Sequence, residues 1–142
     1  MPNPVAVLGA VIFIVLGGWH FYWALGGRAG QSLAIPEREG KPAFRPSFAI
    51  TTLVGTALII CALLLWFTAC GITVLLPVNV MVWLCYGLAA VLVLRAWGDC
   101  RLVGFFKRVR HTGFAKMDTY VYSPLCVALA AISTYVALYA SG

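Results

Sequence analysis

Residues 46–70 read Pro-Ser-Phe-Ala-Ile-Thr-Thr-Leu-Val-Gly-Thr-Ala-Leu-Ile-Ile-Cys-Ala-Leu-Leu-Leu-Trp-Phe-Thr-Ala-Cys, with no charged side chain anywhere in the run. Wound as an α-helix rising 1.5 Å per residue, this stretch is about 37 Å long, enough to cross a hydrocarbon core of roughly 30 Å. Lipid offers no partner to open backbone N–H and C=O groups, so a spanning segment this apolar must close its hydrogen bonds internally as a helix. Three more stretches read the same way: Pro4–Leu25, Ile72–Leu94 and Asp118–Tyr139. The expected fold is an all-α integral membrane protein, an antiparallel four-helix bundle occupying residues 1–142 as one domain.

Composition agrees. The chain is 63% apolar and 10% charged, with a mean hydropathy of +0.97, where a soluble domain carries about 25% charge. The net charge of +6 does not point to nucleic acid, because the basic residues are confined to two interhelical segments. The first holds Arg28, Arg38, Lys41 and Arg45; the other holds Arg95, Arg101, Lys107, Arg108, Arg110 and Lys116. In a four-span protein those two segments share a side. The positive-inside bias puts loops 26–46 and 95–117 in the cytoplasm and both termini outside. The expected location is the cell membrane, and the expected contacts of the loops are membrane lipids, anionic headgroups included.

Punctuation sets the span ends. Gly26-Gly27 closes the first span, and Pro46 opens the second near its first turn. Gly71 joins spans two and three so closely that they are expected to form an antiparallel hairpin. Pro77 falls in the first turns of span three. Ser123-Pro124 leaves two readings: helix four begins near Asp118 and kinks, or Ser123 caps it and Pro124 starts it. Between Arg101 and Lys116 an interfacial helix is expected, with Leu102, Phe105, Phe106 and Val109 towards lipid and Arg101, Arg108 and His111 towards water. The first span lacks a basic leader and a small-residue cleavage site, so it reads as a retained helix and not a signal peptide. Small residues, among them Gly9, Gly17, Gly18 and Gly55, suit close helix approach inside lipid.

The unusual chemistry lies at the loop end. His20 sits about one and a half turns inside helix one on the face of Phe13, Gly17 and Ala24. It is either an acid/base or ligand-contacting group, or an interface histidine bonded to a nearby carbonyl or carboxylate. Asp99 and Asp118 are the two acids outside the first loop. Arg95 and Asp99 are four apart and can pair, while Asp118 can reach Lys107, Arg101 or His20 across the bundle. Buried charge requires such pairing. The candidate site residues are therefore His20, Asp118 and Asp99 for acid/base work, and Trp23, Arg95, Lys107 and Tyr122 for ligand contact. No metal or cofactor is expected: His20 and His111 are the only histidines, and no HExxH, paired-cysteine or CxxCH pattern occurs. The five cysteines form no CxxC pair, and no structural disulfide is expected. Ser123, His20 and Asp118 offer a Ser-His-Asp composition without a nucleophile elbow.

Several blocks in order resemble the DUF3995 family of small bacterial four-helix membrane proteins. They are His20-Phe21-Tyr22-Trp23-Ala24-Leu25-Gly26-Gly27, Arg95-Ala96-Trp97-Gly98-Asp99, Gly104-Phe105-Phe106-Lys107, Phe114-Ala115-Lys116-Met117-Asp118 and Tyr122-Ser123-Pro124-Leu125-Cys126. The resemblance covers nearly the whole chain and implies four helices with a shared polar end. It supplies no reaction, substrate or cofactor. Three functions compete: a membrane protein binding a lipid-like or amphiphilic small molecule in a polar cup, a membrane-embedded acid/base enzyme acting on a lipophilic substrate, and a scaffold or accessory subunit engaging a membrane-protein partner or its own copies. A cavity of several hundred Å3 at His20, Asp99 and Asp118 favours the first two; a packed end with every group paired favours the third.

Overall fold

The computed structural model describes residues 3–38, 41–73, 75–98 and 101–142. Four helices long and apolar enough to cross a membrane account for most of it.

The first, α1 (Pro4–Ala24), starts where the Asn3 side chain accepts the Val5 N–H at 2.9 Å, with proline at the first helical position. This arrangement satisfies a backbone donor that the helix cannot. The first loop then carries a short helix α2 (Gln31–Ala34) and a two-residue ribbon, β1 (Glu37–Arg38) with β2 (Lys41–Pro42), paired antiparallel in the register Glu37 to Pro42 and Arg38 to Lys41. Ser47 caps α3 (Phe48–Cys70) by accepting the Ile50 N–H. Gly71 ends it in the left-handed region (φ 64°), with Ile72 N–H returning to the Phe67 carbonyl at 2.9 Å. This closure requires positive φ, hence glycine.

Helix α4 (Val78–Trp97) differs from the expected Ile72–Leu94 at both ends. Ile72, Thr73, Leu75 and Leu76 stand outside it. Pro77 sets the start, since a proline disfavours helical backbone in the residue before it. The expected tight hairpin between spans two and three is correspondingly loose. The extensive packing is instead α1 on α3 and the fourth span on α4.

The fourth span matches neither expected start. Thr112 accepts the Ala115 N–H at 3.1 Å and starts α5 (Gly113–Met117), which runs without a break into a π-helical turn, Asp118–Tyr122, and then α6 (Ser123–Ser141). The Ser123 N–H reaches back five residues to the Asp118 carbonyl. Pro124 explains the widening. It has no N–H to give, and its ring would collide with a carbonyl four residues back in a regular α-helix. A π turn just upstream carries the helix past it. The expected interfacial helix over Arg101–Lys116 is absent as such. Residues 101–112 form turns and irregular backbone, and helix begins only at Gly113.

Packing follows small residues. A Cβ placed on Gly9 would come within 2.9 Å of both Ile132 and Leu65 side chains; one on Gly17 would lie 3.1 Å from the Gly55 carbonyl. Those contacts make α1 antiparallel to α3, and Gly9 beside Ile132 with Asn3 bonded to Tyr135 makes it antiparallel to α6. Ala6, Ala10 and Phe13 of α1, Ala62 and Leu65 of α3, Val82 and Cys85 of α4, and Leu129, Val136 and Ala137 of α6 form the buried core. Large apolar side chains on the opposite faces are exposed, Leu53, Ile60, Trp83, Val91 and Leu94 among them. A surface of this kind suits hydrocarbon and not water. At one end Asn3 Nδ2 donates to the Tyr135 hydroxyl (3.1 Å); at the other the Tyr122 hydroxyl donates to the Leu33 carbonyl (3.2 Å), fixing the first loop against the fourth span. Both charged loops therefore gather at one end of the bundle.

Candidate functional site

Asp118, the first residue of the π turn, is fully buried, and so is the lysine it meets: Lys107 is 2% exposed. Asp118 Oδ1 accepts from Arg95 Nη2 at 2.9 Å. Its Oδ2 accepts from Lys107 Nζ at 3.0 Å and from the Gly104 N–H at 2.7 Å. Lys107 Nζ also donates to the Gly104 carbonyl (2.9 Å) and to Thr119 Oγ1 (2.6 Å), whose own proton goes to the Ala115 carbonyl. All three lysine protons are thus used, and three donors occupy the carboxylate. Removing either partner of such a buried pair strands a charge, at a cost of about 3–5 kcal/mol.

Two glycines make this arrangement reachable. Gly98 and Gly104 have φ of 87° and 86°. A Cβ on Gly98 would run into the Val103 carbonyl, and one on Gly104 into the Trp97 carbonyl. The backbone thereby pinches shut at the top of α4, and Phe105 N–H bonds to the Ala96 carbonyl at 2.9 Å. The pinch turns Gly104 so that its N–H meets Asp118 and its carbonyl meets Lys107. Only residues without a Cβ permit this approach.

Beside the triad lies a cavity of about 440 Å3. Helix α1 contributes Leu16, Trp19, His20 and Trp23; the first loop contributes Gly30, Leu33 and Ala34; the fourth span contributes Phe114, Met117 and Tyr122; and Arg95 supplies the one charged wall among the described residues. The Arg95 side chain is 36% exposed, and its Nη1, unlike Nη2, is buried without a hydrogen-bond partner among the described residues. His20 Nδ1 lies 2.8 Å from the Leu16 carbonyl. A carbonyl only accepts, so Nδ1 carries the proton and Nε2 is left as the ring's free nitrogen. The imidazole stands edge-on to Trp23, with ring centres 5.3 Å apart, and Trp23 Nε1 donates to the Ala29 carbonyl at 2.8 Å. A second cavity of about 210 Å3 shares His20, Trp23 and Ala34 as lining and is otherwise walled chiefly by Ile35, Phe44, Pro46, Ile50 and Val54.

The sequence-based candidates fall into three groups. His20, Trp23, Arg95 and Tyr122 line the larger cavity together. Asp118 and Lys107 are not among its lining residues and sit in the buried triad, tied to the cavity through Arg95. Asp99 lies outside the described residues, as does its expected pairing with Arg95; the partner described for Arg95 is Asp118. No hydrogen bond joins His20 to Asp118 among the described residues, and no three His, Cys, Asp or Glu side chains converge as a metal site among them. Sequence reasoning named none of Gly104, Thr119, Trp19, Leu33, Ala34 and Phe114 as a site residue. Trp19 carried a usable signal, being one turn before Trp23. The glycine pair at 98 and 104 carried a weaker one.

A sequence profile of a family described as "Protein of unknown function (DUF3995)" matches residues 13–133. No curated protein and no solved structure matches the chain.

Proposed function

The chain belongs to the DUF3995 family, and from that premise we propose that it is a membrane protein that binds an amphiphilic, lipid-like small molecule at the loop end of its helix bundle. The observation that supports this reading is the cavity of about 440 Å3 whose walls are aromatic and aliphatic apart from Arg95, His20 and Tyr122. Its size falls within the roughly 300–1,000 Å3 usual for small-molecule sites, with a few polar groups set in an apolar lining. Arg95 receives the polar head. Its side chain is 36% exposed where it walls the cavity, so the guanidinium can be approached from there. Trp19, Trp23 and Phe114 flank the apolar body. Asp118 and Lys107 act behind the site: they hold Arg95 in place and do not touch the ligand.

A second reading rests on the His20 tautomer. With Nδ1 committed to Leu16, Nε2 is available as a proton acceptor inside the same cavity, which is what general-base chemistry on a bound lipophile needs. The scaffold reading draws support from the fully bonded Asp118–Lys107 pair but leaves the neighbouring cavity without a role. In all three readings loops 26–46 and 95–117 face the cytoplasm, with both termini outside and the basic residues against anionic headgroups.

Native mass spectrometry of protein extracted in mild detergent tests the binding reading. The wild-type chain is expected to retain a small amphiphile. His20→Ala and Trp23→Ala, which leave the triad untouched, are expected to lose it while still unfolding in a single cooperative transition, at a melting temperature lowered by the lost ligand and ring contacts. Equal retention by both variants would place the ligand elsewhere.

A further inference from the structure

Charge and wall composition specify the ligand more closely, on the premise that the cavity binds an amphiphile at all. Among the described residues the triad sums to one positive charge in excess: Arg95 and Lys107 against Asp118. Lys107 is saturated, so the excess falls on the guanidinium that walls the cavity. An uncompensated charge beside an apolar chamber is unfavourable, and an anion placed against it removes the penalty. A neutral head leaves the imbalance standing.

The smaller cavity supplies the other half of the argument. It shares the His20, Trp23 and Ala34 wall with the larger one, and its far side is Phe44, Pro46, Ile50 and Val54, with Gln31 and Thr51 as polar lining and no charged residue among the described ones. Among the described lining residues, formal charge therefore falls in one direction, from Arg95, past the His20–Trp23 ring pair, to a compartment lined chiefly by apolar side chains. Ala34 is the smallest side chain on the shared wall and leaves the most room there for an alkyl chain.

We propose that the two cavities are compartments of one site for a single-chain anionic amphiphile, its carboxylate or phosphate head against Arg95 and its tail passing His20 and Trp23 into the smaller compartment. The shared chemistry is an anionic oxygen on an alkyl chain; a fatty acid and an alkyl phosphate both carry it.

The test is native mass spectrometry of the detergent-solubilised full chain titrated separately with undecanoic acid, its methyl ester, undecyl phosphate and inorganic phosphate. The acid or the alkyl phosphate is expected to bind about tenfold more tightly than the ester, a difference of about 1.4 kcal/mol; which of the two binds more tightly identifies the head. Arg95→Gln should bring acid and ester to equal affinity. Because Arg95 also holds Asp118, a second variant keeps the polar cluster intact: Ala34→Phe should weaken undecanoate at least about fivefold and leave hexanoate unchanged. Equal binding of acid and ester by the wild-type chain overturns the anionic head but leaves the amphiphile reading intact. Undiminished undecanoate binding by Ala34→Phe overturns the second compartment. Binding of inorganic phosphate as tight as undecyl phosphate shows a soluble-anion site and overturns the tail. No binding by any alkyl compound, the ester included, overturns the amphiphile reading itself.

Discussion

Asp118 carries more of the polar end than any other residue, because its two oxygens tie the fourth span to two other pieces of chain: the end of α4 through Arg95, and the irregular segment through both Gly104 and Lys107. Asp118→Asn keeps the shape but removes the charge that balances a lysine only 2% exposed. The expected loss is about 3–5 kcal/mol, the usual cost of breaking a buried pair, read as a lowered melting temperature in detergent. The double variant Lys107→Met/Asp118→Asn is expected to be more stable than Asp118→Asn alone, since it no longer strands an ammonium. A double variant less stable than the single one would mean that the lysine is not paired as described. Gly104→Ala strikes the same cluster through the backbone. It forces a Cβ into the Trp97 carbonyl at φ 86°, so it is expected to unfold the pinch, whereas an alanine on an ordinary loop glycine changes little.

At the scale of elements, the contact between α1 and α3 depends on Gly17 and Gly55, whose added Cβ atoms would lie 3.1 and 3.2 Å from each other's carbonyls. Gly18 and Gly87 have open space around them. Leucine at Gly17 or Gly55 is therefore expected to cost at least about 1–3 kcal/mol by overpacking, and leucine at Gly18 or Gly87 close to nothing, with melting temperatures of the four variants as the readout. Equal effects at all four sites would remove the close crossing from the account. The same elements show what could be read in advance. Long uncharged runs such as residues 46–70 leave helix as the sole solution in lipid, so all four spans were legible, with starts displaced by up to six residues. The ends were less so, because proline has two ways of being accommodated. Pro77 terminates a helix by displacing its start, while Pro124 is carried inside one by a π turn. Nothing local in Ser123-Pro124 separates those outcomes; the bonds Asp118 makes to Arg95, Gly104 and Lys107 do. The expected helix over Arg101–Lys116 failed for a related reason. Its apolar spacing was adequate, but Gly104 is required at positive φ, and the Lys107 ammonium is drawn inward to the carboxylate. At the site, four candidates were legible from residue type and depth, whereas Leu33, Ala34 and Phe114 became wall residues only through the docking of the first loop.

For the whole molecule the open question of orientation reduces to charge distribution, and it is testable at two cysteines. Every lysine and arginine lies in loops 26–46 and 95–117, which the antiparallel contacts bring to one end of the bundle. The opposite end carries Asn3, Tyr135 and the exposed Cys70 at the close of α3. Moving loops this basic across a bilayer opposes the bias that retains Lys and Arg on the cytoplasmic side. Anionic lipid on that side adds about 1 kcal/mol for each basic residue near the surface. A thiol reagent that cannot cross membranes is therefore expected to label Cys70 in intact cells and to miss Cys100, which lies in the second charged loop. In permeabilised cells it should reach both. The other three cysteines, Cys61, Cys85 and Cys126, lie within the spans and are at least partly buried, so variants retaining only Cys70 or only Cys100 give an unambiguous signal. Labelling of Cys100 but not Cys70 from outside would invert the molecule. It would also open the Arg95 cavity towards the outer leaflet, and the amphiphile would then be drawn from lipid or solute on that side.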